Sequence, residues 1–257
     1  MNTLMLWFPL IALLPVFLLA WWRQQKSRNA GWVDVLWAAG TGLTGVAMAA
    51  TGAGDPALRS LVAIVYAVWF GRLTWHLWRR VAGHPEEGRY VHMRDWAGRR
   101  EGQVFLVFYL MQASWVWLFS LPAWVVSQGS VPPLPLLVLA IGIIGVAWLG
   151  ETVADLQLAR FRSLPGNRGH TCREGLWRYS RHPNYFFEWL HWFAYPLLGW
   201  AAPGGAWLWL APVLVFVFLY FVTGIPFTEQ QALRTRGEDY RRYQQSTSLF
   251  IPWRPKS

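Results

Sequence analysis

Cysteine is nearly absent: Cys172 stands alone in 257 residues, so no disulfide can form within the chain. Charge is scarce too, with 14% of residues charged and 13 acids set against 23 bases. So little charge excludes an ordinary soluble domain. The net charge of +10 sits in connections between apolar runs, which argues against a basic groove for nucleic acid. The six histidines are scattered, and neither a His-x-x-Glu-His pattern nor a cysteine cluster occurs, so no metal centre is expected. No Ser/His/Asp nucleophile elbow appears. The stretch Pro165-Gly-Asn-Arg-Gly-His170 matches neither the Walker nor the Rossmann phosphate loop. No internal repeat supports an inverted-repeat transporter. No linker divides the chain, which reads as a single membrane domain over 1–257.

What the chain has is apolar length: 54% of residues are hydrophobic, and 20 are tryptophan, a residue that collects at membrane interfaces. A crossing helix needs about 20 apolar residues. Runs near that length fall at 3–22, 31–52, 57–78, 103–127, 134–155, 184–202 and 205–225. The expectation is an all-α integral membrane protein of seven transmembrane helices. The first run lacks a basic leader and ends in Trp21-Trp22-Arg23, so it reads as a retained helix. Basic residues follow runs one, three and five and fill the tail, while only Arg59 lies at the opposite end. The positive-inside rule then places the N-terminus outside and the C-terminus, with Cys172, on the cytoplasmic side. Long connections at 79–102 and 156–183 share that side, so the chemistry is expected there.

One stretch concentrates the polar groups: Gly175-Leu-Trp-Arg-Tyr-Ser-Arg-His-Pro-Asn-Tyr-Phe-Phe-Glu-Trp189. Pro183 suits the first helical position. A helix from there puts Asn184, Glu188, His191 and Tyr195 on one face. Polar groups in a bilayer mark a functional site or a satisfied helix contact. The helix start, between Arg178 and Arg181, suits an anionic ligand such as a phosphate; the alternative is an interfacial anchor. Upstream, Glu151, Asp155 and Arg162 share a helical face and suit amide or ribose hydroxyl groups, or pair with the arginines at 178–181. Asp34, one turn into the second run, either pairs with Arg72 or serves as a neutral acid in a dry pocket. Arg89 and Arg94 belong to a loop of alternating charge that is either solvated or closes over a phosphate.

From Gly175 to Glu188 the sequence resembles the C-terminal domain of the steroid 5-alpha-reductase family, through Gly175-Leu176, Tyr179, Asn184 and Glu188. The match reaches back through Asp155 and Arg162 and forward to Gly237-Glu-Asp-Tyr240 and Ile251-Pro252. The resemblance implies an NADPH-dependent membrane oxidoreductase that reduces the 4,5 double bond of 3-oxo-4-ene steroids or similar lipophilic enones. It implies cofactor contacts at Glu151, Asp155, Arg162, His170, Tyr179, Asn184 and Glu188, with Arg89 and Arg94 as further contacts. It also implies an acid and a tyrosine on the substrate carbonyl: Asp34 matches the acid, and Tyr66 and His76 are both candidates for its partner. Residues 1–102 would then form the substrate-side helices and 103–257 the cofactor-binding part. The expected setting is a bacterial inner membrane with the site open to the cytoplasm. Membrane lipid is an expected partner; nucleic acid and an obligate protein partner are not. The same C-terminal part is similar to isoprenylcysteine and phospholipid methyltransferases, through Arg181-His-Pro-Asn-Tyr185 and Gly237-Glu-Asp-Tyr-Arg-Arg-Tyr243. That resemblance implies S-adenosylmethionine instead. A non-catalytic membrane protein is the third reading.

Overall fold

Apolar runs leave the backbone no water to bond with, so N–H and C=O groups pair inside each segment and the chain becomes helical. The computed structural model describes residues 3–222 and 224–256. In order, the α-helices are α1 (Thr3–Ser27), α2 (Trp32–Ala50), α3 (Pro56–Val81), α4 (Gly88–Ala97), α5 (Glu101–Val126) and α6 (Leu134–Ser163). After these come α7 (Pro183–His191), α8 (Ala194–Leu198), α9 (Leu210–Val217), α10 (Ile225–Arg236) and α11 (Glu238–Ser246). A π turn, Phe218–Val222, follows α9. Among the described residues no strand forms, and one parallel bridge joins Ser180 to Ser248.

Among the described residues, six helical segments are long and apolar enough to cross a membrane: 6–27, 32–50, 56–81, 88–126, 134–163 and 205–236. These identify a membrane protein. The remaining expected run, 184–202, does not form one long helix. It becomes α7 and α8, with Trp192 and Phe193 turning on i→i−3 bonds to Trp189 and Leu190. Pro196 accounts for the break, because it has no N–H for the Trp192 carbonyl and its ring crowds that carbonyl.

The chain parts into two compact units, 1–131 with 201–205, and 132–200 with 206–257. The division falls after α5, so that helix belongs with α1–α4.

In the first unit, α2 carries small residues where α3 and α5 approach it. A side chain at Gly45 would strike the Tyr66 ring, and one at Gly42 would meet Phe70 Cβ at 2.9 Å. Helices this close gain dispersion contacts that larger residues would prevent. Asp55 caps α3 by accepting from the Ala57 N–H at 2.8 Å, and Pro56 fills the first turn. Arg59, the exception to the charge pattern, donates to the Ala49 carbonyl at 3.2 Å and to that of Ala50. It thereby completes the C-terminus of α2, where a cation suits the helix dipole. On the other flank, Trp7 stacks on Trp117 and the Trp117 indole donates to the Leu6 carbonyl at 2.8 Å, fastening α1 to α5.

In the second unit, α7 and α8 pack along α6. Gly150 gives way to the Phe187 ring, where any Cβ would collide. Gly175, at φ +56°, lies against the Gln157 side chain, whose Oε1 accepts from the Leu176 N–H at 2.9 Å. A positive φ and a blocked Cβ direction together require glycine there.

Candidate functional site

The second unit assembles a polar ridge from α6 and α7. Glu151 is buried on α6, and Asp155 lies half-buried one turn later on the same face. Asn184, in the first turn of α7, donates from Nδ2 to Asp155 Oδ1 at 3.3 Å. Glu188, one turn on, accepts at Oε1 from the Trp192 indole at 3.1 Å. Three carboxylates and an amide thus gather on two helices whose other faces are apolar. His191 ends α7, fully buried, with Nε2 at 2.8 Å from the Tyr195 hydroxyl. The four residues expected on one helical face are therefore shared between α7 and α8. Arg162 and His170 are exposed on the loop side of the unit, as is Tyr179 beside the chain's tail.

Beneath the signature stretch lies a residue that sequence reasoning missed. Glu229, buried in α10, accepts from Arg181 Nε at 3.1 Å, Arg181 Nη2 at 3.0 Å, the Tyr240 hydroxyl at 2.6 Å and Gln244 Nε2 at 2.6 Å. His182 Nε2 lies 2.9 Å from the same carboxylate. Arg181 also donates to the Gln244 and Thr247 carbonyls. Arg181 is thus committed inward and does not flank a phosphate seat at the start of α7, as the sequence suggested; exposed Arg178 remains on the surface. Burial and the neighbouring Glu229 push the Tyr240 phenol well up, so it stays a donor. The signal available in sequence was the spacing of Glu229, Tyr240 and Gln244, which only the turn at Gly237 brings together.

Nearby, Asp239 accepts from the Thr171 N–H at 2.8 Å and pairs with Arg173 at 2.8 Å. Burial opposes its charge, but the Thr171 bonds and Arg173 outweigh this and hold the carboxyl low. Cys172 is buried, and burial pushes its thiol up.

In the first unit, Asp34 pairs with Arg89 and not with Arg72, whose guanidinium lies over the Trp69 ring. Asp34 Oδ1 also accepts from the Tyr90 hydroxyl at 2.8 Å. Two donors, Arg89 and the Tyr90 hydroxyl, therefore converge on this carboxyl group. Tyr90, buried in α4, is the phenol beside the acid that sequence spacing did not find. Tyr66 is spent elsewhere: fully buried, it packs on Gly45 and donates to the Phe119 carbonyl at 2.8 Å. That bond ties α3 to α5. His76 is half-buried on α3. Arg94 is buried and bonded to Glu86, Glu101 and Gln24, so its nitrogens serve an internal network and are not presented to a phosphate. Among the described residues no group of His, Cys, Asp and Glu is arranged to hold a metal ion.

A family described as "Protein of unknown function (DUF1295)" matches residues 20–247. No curated protein and no solved structure matches the chain.

Proposed function

The chain belongs to this family of unknown function, and from its polar ridge we propose that it is a membrane reductase that uses NADPH on lipophilic enones, among them 3-oxo-4-ene steroids. The observation that carries the reading is the Asn184–Asp155 hydrogen bond, flanked by Glu151 and Glu188. Polar groups on apolar helices are costly unless they serve a ligand or one another. This set of acceptors and one amide suits ribose hydroxyls and a carboxamide. The resemblance of Gly175–Glu188 to steroid 5-alpha-reductases points to the same dinucleotide. Exposed Arg162, Arg178 and His170 would take its phosphates. Bound NADPH supplies a hydride to the β-carbon of the enone.

Negative charge then develops on the substrate oxygen and calls for fixed donors. The resemblance gives that role to an acid at Asp34, a carboxyl group that Arg89 and the Tyr90 hydroxyl both meet. The segment 184–202 crosses the bilayer as α7 and α8, giving seven spans with the N-terminus outside and the C-terminus cytoplasmic. The setting is a bacterial inner membrane, with the nucleotide entering from the cytoplasm.

A methyltransferase is the second reading. The inward commitment of Arg181 favours it, since S-adenosylmethionine has no phosphates to hold. Incubating the purified chain with each cofactor separates the two. Oxidation of NADPH dependent on a 4-ene-3-oxo steroid is expected; binding of S-adenosylmethionine with no NADPH binding decides for methyl transfer.

A further inference from the structure

The C-terminal tail is zipped onto the signature stretch. Ser248 bridges Ser180 and accepts from the Arg181 N–H at 2.9 Å, while the Ser180 hydroxyl donates to the Phe250 carbonyl at 2.8 Å. The Trp253 N–H then donates to the Tyr179 carbonyl at 2.9 Å. Around this seam Trp177, Ser180, Tyr243 and Phe250 are buried. Two rings are left outside: Tyr179 is 42% exposed and Trp253 72%. With Pro252 and Arg254 they line a groove of about 270 Å³.

That volume lies below the roughly 300–1,000 Å³ of sites that enclose a whole ligand. It suits one flat ring system and is too small for a steroid or a complete dinucleotide. Two exposed aromatic residues joined by a backbone bond, with the guanidinium of Arg254 in the same lining, match a heteroaromatic base on an anionic backbone. An interfacial anchor needs exposed aromatic and basic residues but no fixed pair of rings.

We propose that the Tyr179–Trp253 groove binds the adenine ring of the cofactor, with Arg254 beside its phosphates where it has them. The inference rests on the chain's using an adenine-bearing cofactor, a property that NADPH and S-adenosylmethionine share. It makes Trp253 and Arg254 binding residues.

The full chain in detergent is titrated calorimetrically with NADPH, S-adenosylmethionine and reduced nicotinamide mononucleotide, which lacks adenine. Trp253→Ala should weaken whichever adenine compound the wild type binds by about tenfold or more, and Trp253→Phe should recover most of that loss. Arg254→Gln should weaken NADPH and leave S-adenosylmethionine unchanged. Binding of the mononucleotide should not move in any variant. If the wild type binds NADPH or S-adenosylmethionine and folded Trp253→Ala and Trp253→Phe bind it equally well, the groove is not an adenine site, and the cofactor reading survives alone. A wild type that binds neither compound overturns both. Should Trp253→Ala fail to fold, wild-type affinity in both Trp253→Phe and Tyr179→Leu overturns the proposal.

Discussion

Glu229 holds more of the second unit together than any residue its sequence neighbourhood advertises. Its carboxylate joins Arg181 and His182, ahead of α7, to Tyr240 and Gln244 on α11. Removing one partner of a buried ion pair leaves the other charge uncompensated, at a cost of about 3–5 kcal/mol. Glu229→Ala should therefore lower the melting temperature sharply. Glu229→Gln, which keeps volume and some hydrogen bonding, should lower it less. Tyr240→Phe removes one hydrogen bond and should cost about 0.5–1.5 kcal/mol. An Ala variant that melts like the wild type would show that the carboxylate is dispensable. The contrast with Asp34 shows what spacing can resolve. Helical periodicity identifies residues that share a face, as it did for Glu151 and Asp155. It says nothing of which distant residue meets that face. The ion pair that the sequence offered to Asp34 was with Arg72, and the partner proved to be Arg89 on α4.

At the scale of elements, six apolar runs were legible because length and hydropathy alone define a crossing helix. The start of α3 is fixed where a proline and a capping side chain coincide, at Asp55-Pro56. The run at 184–202 has the same composition, but Pro196 interrupts the backbone ladder and divides it into α7 and α8. Hydropathy does not register a missing N–H. The tail was the least legible part. Residues 247–254 have no apolar period, and their pairing with 179–181 is a contact across some seventy residues of sequence. The ridge itself was readable: Asp155 and Asn184 were singled out by type and position, and they meet at 3.3 Å. Spacing cannot gauge burial either: Tyr66 is fully buried and gives its hydroxyl proton to the Phe119 carbonyl.

For the whole molecule, the charge pattern gives an expected orientation that labelling tests. Reporter fusions at Ser257 and in the 128–133 turn should label opposite faces of the membrane; labelling on one face would overturn the seven-span arrangement with its outer N-terminus. The functional account depends on whether the α6–α7 ridge meets a cofactor or merely joins two helices. Loss of a charge-assisted hydrogen bond to a ligand costs about 1.5–3 kcal/mol, or roughly ten- to hundredfold in affinity. The decisive measurement is the melting temperature of wild type, Asn184→Ala and Glu188→Gln with and without NADPH. The account predicts that NADPH raises the wild-type melting temperature and that both variants, folded without cofactor, lose most of that rise. A full cofactor-induced rise in both variants, on a lowered baseline, would make the ridge a structural helix contact and contradict the account.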